Sequence, residues 1–309
     1  MSRISVPGIY DIPIEDYIGD CCVGPSISSS GLRTLLLECP AKYWAMSPLN
    51  PNRFPDESTH ALDVGRAAHA LALGEPEFAK YFVVSPYDDF RSKEARAWRD
   101  EQHRTIIKAD DLETIRAVAL VQQRSAQCMR AFEKGKAERS LIWQDDETGV
   151  WLKARPDWLP DDPASRFICE YKTAISIEPY RMSNDAFKYG YHMQAAMQVD
   201  AVVAVLGVKP LGVAHVVQEK DPPYLAELRM FTEEQIEDGR FMYRRALEIF
   251  ARCLKSNEWP GYTNEPTYFE SPYRHAKQVE ELRNDTRRFT DPPPDRSKNY
   301  NAADYLSNG

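Results

Sequence analysis

The run from Lys153 to Lys172, KARPDWLPDDPASRFICEYK, is the part of this 309-residue chain whose reading decides the fold. Strand side chains alternate between two faces. In Arg166 to Lys172 that puts Phe167, Cys169 and Tyr171 on one face and Ile168, Glu170 and Lys172 on the other, so that an acid and a base sit side by side. Asp157 lies thirteen residues before Glu170, after the segment Val150 to Arg155 and ahead of the turn signal Pro160-Asp161-Asp162-Pro163. A hairpin closed at that turn brings Asp157 beside Glu170.

Two carboxylates and a lysine on adjacent strands suit attack on a phosphodiester. Carboxylate oxygens hold Mg2+ or Mn2+, whose shell is completed by waters and by substrate phosphate oxygens. Such a cation lowers the pKa of bound water and offsets charge on the pentacovalent phosphate. It also repels a protonated lysine, which places Lys172 against the attacking hydroxide or the scissile phosphate. The same residues fit a surface hairpin in which Glu170 and Lys172 form an ordinary ion pair worth under about 1 kcal/mol.

The composition, 43% hydrophobic and 11% aromatic, is ample for a core. No apolar run approaches the roughly 20 residues that span a bilayer, and the opening MSRISVPGIYDIPIEDY lacks the pattern of a secretory leader. A cytoplasmic protein without membrane contact is expected. Cys21, Cys22, Cys39, Cys128, Cys169 and Cys253 form no CxxC pair, so neither a zinc site nor a disulfide framework is indicated. The net charge of −8 argues against indiscriminate nucleic-acid binding, although a nuclease needs only a locally positive groove.

In chain order, Ser28-Ser29-Ser30-Gly31 precedes a helix carrying Leu32, Leu35 and Leu36, with a second helix from Pro40. The serines either cap a packed helical pair or, with the free N–H groups, receive a DNA phosphate. A helix from about Thr59 to Leu73 carries Gly65 and His69 on one face. Gly65 suggests close approach to another element, and His69 reads either as a hydrogen-bonded core residue or as a metal or phosphate contact. A brief strand at Phe82 to Val84 and helices at Ser92 to Arg104 and Asp110 to Phe132 follow. A meander then runs Arg139 to Trp143, Val150 to Arg155 and Phe167 to Lys172. Beyond it lie a helix from Tyr189 to Leu206 with Gln194 and Gln198 on one face, strands at Leu211 to Gln218 and Leu225 to Phe231, and a helix from about Glu233 to Asn257. This order predicts a mixed α/β core with helices on both sides. One domain is expected over 1–283, helical over 1–135 and catalytic over 136–260, with a disordered tail over 284–309.

Taken together, GRAAHALALGEPEF (Gly65 to Phe78), KARPD (Lys153 to Asp157), EYK (Glu170 to Lys172) and YHMQAAMQVDA (Tyr191 to Ala201) resemble, in order, the motifs of the PD-(D/E)xK nuclease superfamily. The likeness is to the RecE-type exonuclease domain (exodeoxyribonuclease VIII). SISSSGLRTLLLECPAKYW is similar to that family's N-terminal signature, so the resemblance spans about Ile9 to Pro260. It implies a restriction-endonuclease-like core with a mixed central sheet flanked by helices. It further implies His69, Asp157, Glu170 and the Tyr171 carbonyl as ligands of Mg2+ (or Mn2+), Lys172 positioning or activating the water, and Gln194 orienting the lysine or phosphate. Members digest linear double-stranded DNA from 5′ ends, assemble as a toroidal tetramer and feed 3′ overhangs to a single-strand annealing protein. Gln198 stands where the wider superfamily has a tyrosine.

The expectation is therefore a Mg2+-dependent 5′ to 3′ exonuclease acting in recombination. The alternatives are a non-catalytic DNA-end or partner-binding clamp, and a structure-specific or single-strand nuclease. Arg66, Lys153, Arg155, Arg181 and Lys188, with Ser28 and Ser30, are the candidate DNA contacts, each cation also readable as a solvated surface charge. Phosphate contacts position DNA without reading sequence, so affinity should fall with salt.

Overall fold

The computed structural model describes residues 3–54, 60–263 and 265–285, with backbone alone at 60–62. The strands are β1 (Gly8–Tyr10), β2 (Ser26–Ser28), β3 (Phe82–Val84), β4 (Thr105–Ile107), β5 (Gly135–Ala137), β6 (Ser140–Gln144), β7 (Trp151–Ala154), β8 (Trp158–Pro160), β9 (Ile168–Ala174), β10 (Val213–Glu219) and β11 (Ala226–Met230). The helices are α1 (Ile14–Ile18), α2 (Ser29–Arg33), α3 (Pro40–Met46), α4 (His60–Leu73), α5 (Glu75–Tyr81), α6 (Lys93–Asp100), α7 (Ala109–Arg124), α8 (Ala126–Ala131), α9 (Pro179–Lys188), α10 (Tyr191–Leu206), α11 (Glu233–Ser256) and α12 (Tyr273–Asn284). A compact unit takes in the chain to Tyr262, and a second begins at Thr263 and contains α12. The expected tail falls from 286 onward outside the described residues.

One sheet has the order β11-β10-β9-β8-β5, and a second the order β1-β6-β7-β2. β9 and β10 are parallel, with Glu170 opposite His215 and Lys172 opposite Val217, whereas β10 and β11 are antiparallel. The first sheet is therefore mixed. Ile168, Cys169, Glu170 and Tyr171 are all buried, as expected of a strand covered on both faces. The Ile168 face meets α10 in the main core, and the Tyr171 face packs on Cys128 of α8.

The predicted meander is corrected here. Arg139 to Trp143 and Val150 to Arg155 do pair, as β6 and β7, but β7 takes β2 as its other neighbour. The return strand β9 pairs instead with β8, through Trp158 and Cys169. Between Ala154 and Trp158 the chain leaves one sheet and enters the other, because Pro156 has no N–H with which to extend the β7 ladder. Asp157 sits in that crossing. The single helix predicted from Asp110 to Phe132 is two, broken at Ser125, whose hydroxyl accepts the Cys128 N–H and caps α8. Gly65 faces open space rather than a close neighbour.

α10 anchors the main core. Met193, Ala195, Ala196 and Met197 are fully buried against Tyr243, Ala246, Leu247 and Phe250 of α11 and Leu141, Leu152 and Ile168 of the sheets. Full burial of one such large side chain contributes about 1.5–3 kcal/mol. The helix ends at Gly207, whose φ of 70° is open to glycine at little cost. Among the described residues no helix is long and apolar enough to cross a membrane.

The α10–α11 crossing is tight at Gly239, where a Cβ would run into the backbone of His192 and Met193. Gly239→Ala is expected to destabilise the protein by about 1–3 kcal/mol, read as a lowered midpoint in urea unfolding. An unchanged midpoint would refute this packing.

Candidate metal centre

Glu170 and Lys172 share the β9 face toward α10, and Glu170 has no solvent exposure. Its Oε2 accepts hydrogen bonds from Lys172 Nζ at 2.6 Å and Gln194 Nε2 at 2.8 Å, while its Oε1 accepts one from Gln198 Nε2. Gln194 and Gln198 stand one turn apart, so one helix face delivers both amides. A carboxylate offers about four lone-pair sites, which leaves one for a cation. Burial and then Asp157 push the Glu170 carboxyl up, against Lys172 and Gln198, which pull it down. Burial opposes the charge on Lys172, but Glu170 and Asp157 outweigh it and hold the ammonium above the ordinary lysine range.

Asp157 stands across from this pair. Its Oδ2 accepts the Tyr171 N–H at 2.6 Å and lies 3.3 Å from His69 Nε2 on α4. That nitrogen is buried and close enough for ion pairing, yet it is misaligned for a hydrogen bond and has no other partner among the described residues. The His69 ring lies over Tyr171, centroids 5.6 Å apart. Burial works against a protonated His69, but Asp157 prevails and the imidazole is pushed up to about 8. Burial likewise opposes ionisation of Asp157, but His69 and then Lys172 hold its carboxyl down at about 2.

Glu138 is the group that the sequence reading missed. Ligand atoms of His69, Glu138 and Asp157 all lie within 4.8 Å of one another, a cluster that does not include Glu170. Glu138 joins β5 to β6 with a φ of 55°, its N–H bonded to the Asp157 carbonyl at 3.2 Å and its Oε2 to Arg155 Nε at 2.7 Å. A non-glycine residue held in that conformation costs about 1–3 kcal/mol, and such strain collects at functional sites. In the sequence Glu138 was one acid beside a strand, with no spacing that tied it to Asp157. One imidazole and two carboxylates, with an imidazole nitrogen lacking a hydrogen bond, fit a divalent cation.

The remaining candidates divide. Tyr171, carried over as a carbonyl ligand, gives its N–H to Asp157 and its ring to His69. The Ser28 and Ser30 hydroxyls, 2.9 Å apart, line a recess of about 150 Å3 together with Arg33, Arg155, Gln194 and Gln198. Arg66 is exposed on α4, 4.0 Å from Asp63. Lys153 and Arg155 are corrected from surface phosphate contacts to cations of the fold. Lys153 Nζ is buried and donates to the carbonyls of Tyr17 at 2.7 Å and Gly19 at 2.9 Å. Arg155 donates to Glu138, to the Ile12 carbonyl at 2.8 Å and to Ser140 Oγ at 3.2 Å. Phosphate contact by Lys153 would require breaking those bonds, whereas Arg155 also lines the Ser28–Ser30 recess. The half-buried cation that the sequence reading passed over is Arg33, which donates to the Tyr189 carbonyl at 2.9 Å.

A family profile described as "PDDEXK-like domain of unknown function (DUF3799)" matches residues 28–272. The chain belongs to this PDDEXK-like family. A solved structure from Eubacterium rectale named "Putative exonuclease" is similar to it at a TM-score of 0.54 and 14% identity, over 83% of this chain and 92% of that one. At that identity the likeness shows the fold. A search of curated proteins by sequence gives no match. The matched residues include Asp157 and the run Glu170-Tyr171-Lys172. Gln198, at the tyrosine position of the wider superfamily, binds Glu170 through its amide.

Because ligands must be deprotonated, a divalent cation at this cluster displaces the His69 proton. At pH 7, below the His69 value of about 8, binding of Mn2+ is expected to release about one proton, and affinity should weaken as pH falls. Calorimetry in buffers of different ionisation enthalpy measures the release, and its absence would remove His69 from the ligand set. Glu138→Gln should weaken Mn2+ binding by about tenfold or more; unchanged affinity would leave Glu138 outside the centre.

Proposed function

We propose that the chain is a metal-dependent deoxyribonuclease that digests linear double-stranded DNA from its 5′ ends, leaving 3′ overhangs for a single-strand annealing protein in recombination. The observation that carries this reading is the convergence of His69, Asp157, Glu170 and Lys172, drawn from α4, the β7–β8 crossing and β9, in a PDDEXK-like fold. Mg2+ is the expected cation, with Mn2+ able to replace it. A toroidal homo-tetramer in the cytoplasm completes the proposal, by resemblance to RecE-type enzymes.

His69, Asp157 and Glu138 would hold the cation, and Glu170, which keeps one lone pair free of its three donors, would complete the set. When bound, it supplies a more acidic water and neutralises charge growing on the phosphate. The chain's own groups do the rest. Lys172, held by Glu170 at 2.6 Å, brings its Nζ to where it would orient or activate the attacking water or meet a phosphate oxygen. Gln194 and Gln198 fix the carboxylate that holds Lys172 in place. The Ser28–Ser30 recess, with Arg33 beside it, offers hydroxyls and a cation to the DNA backbone.

End-labelled linear duplex should lose nucleotides with Mg2+ and not with EDTA, while closed circles survive. Equal cutting of circles would sink the exonuclease reading. Lys172→Ala is expected to lower kcat by about 10²–10³-fold with the thermal unfolding profile retained, and a fully active variant would overturn its role. Comparing 5′-phosphorylated with 3′-phosphorylated ends reports the polarity.

A further inference from the structure

Beside the metal centre lies a second, unassigned recess of about 190 Å3, lined by Phe187, Tyr191, His215, Val217, Arg229 and Phe231 among others. It adjoins the proposed chemistry by register and by contact. His215 and Val217 of β10 are the ladder partners of Glu170 and Lys172, and Lys172 Nζ lies 5.6 Å over the Tyr191 ring. The walls are aromatic. Phe231 packs edge-on to His215 at 5.3 Å and to Phe187 at 5.7 Å, and Tyr191 lies parallel to His215. Val217, Met182 and Ala186 form a buried apolar floor. Among the described residues His215 Nε2 and Arg229 Nε of this lining have no hydrogen-bond partner, and His215 is only 3% exposed.

We infer that this recess receives the base of the nucleotide next to the scissile phosphate, unstacked from the duplex end. The inference rests on the nuclease reading and adds to it a base subsite. The volume is below that of drug-sized ligand pockets, roughly 300–1,000 Å3, so it suits one planar heterocycle and not a base pair. Aromatic faces bind bases of any identity by stacking. The unpartnered nitrogens of His215 and Arg229 match the donors and acceptors on a base edge. The aromatic rings favour a planar base over a phosphate, and a nucleotide whose phosphate meets Lys172 would carry its base toward the Tyr191 side. Unpairing is easiest at a duplex end, where fewer stacking partners are lost. The recess thus favours ends over duplex interiors, with little preference among bases.

Two measurements test this. Duplex with 5-iodouracil at either terminal nucleotide, bound with Ca2+ in place of Mg2+ and irradiated, should crosslink to Tyr191 or Phe231 from one of the two ends, as read by peptide mapping. Hydrolysis of ends with an intact or an abasic terminal nucleotide should differ about tenfold in kcat/KM for the wild type, and by less than about threefold for Phe231→Leu, a substitution that keeps bulk and removes the aromatic face. Crosslinks only elsewhere, an abasic end cut as fast as an intact one, or an equal abasic penalty in Phe231→Leu would each overturn the base subsite. Fluorescence anisotropy separates the two readings: no duplex binding overturns the nuclease reading and the subsite with it, while binding that shows any of those three outcomes overturns the subsite alone. A recess that serves a partner protein's apolar side chain would give those three outcomes.

Discussion

The carboxylate of Glu170 is the constraint on which the site depends. It has no solvent exposure, in a strand covered on both faces. A buried charge without partners is expensive enough that the group neutralises instead. Lys172, Gln194 and Gln198 supply three donors, one from the same strand and two from one face of α10. The docking of α10 on the sheet and the charge of the carboxylate are therefore one problem with one solution. The same bonds fix Lys172, whose ammonium would otherwise be driven toward neutrality by burial.

A second chain of charges runs beside the first. Arg155 holds Glu138, Glu138 and Asp157 meet through a backbone bond and a shared space with His69, and Asp157 takes the Tyr171 N–H. It ties α4 and the β5–β6 and β7–β8 crossings to β9. Lys153 belongs to this scaffold too, bridging β7 to the carbonyls at the end of α1, where a cation complements the helix dipole. In KARPD the lysine and arginine build the support and the aspartate faces the chemistry. The net charge of −8 says little about such a place, because within the site Lys172, Arg155 and Arg33 stand among the carboxylates.

Much of the site was legible because it obeys short periods. Alternation along β9 fixed Glu170 and Lys172 on one face, and the spacing of Gln194 and Gln198 fixed two amides on one helix face. Less was legible where three-residue strands are involved. The pairing of β2 with β7 and of β8 with β9 has too few residues to leave a pattern, so the predicted three-stranded meander divides between two sheets. Lys153 and Arg155 read as surface cations because nothing in five residues of sequence shows the carbonyls that surround them.

The sequence by itself determined three pieces of the candidate site: His69 on a helix, Asp157 before a turn, and Glu170 with Lys172 on one face of a strand by alternation, while their grouping as metal ligands was what the resemblance of the ordered motifs implied. Only the tertiary structure decided that Glu138 joins His69 and Asp157, that Gln194 and Gln198 of α10 bind the Glu170 carboxylate, and that Phe187, Tyr191, His215 and Phe231 wall one recess. Those groups lie far apart in the chain and come from separate elements. Their meeting follows from the crossing at Pro156 and the parallel pairing of β9 with β10, which are long-range choices set by burial of the core and left unmarked in any short stretch.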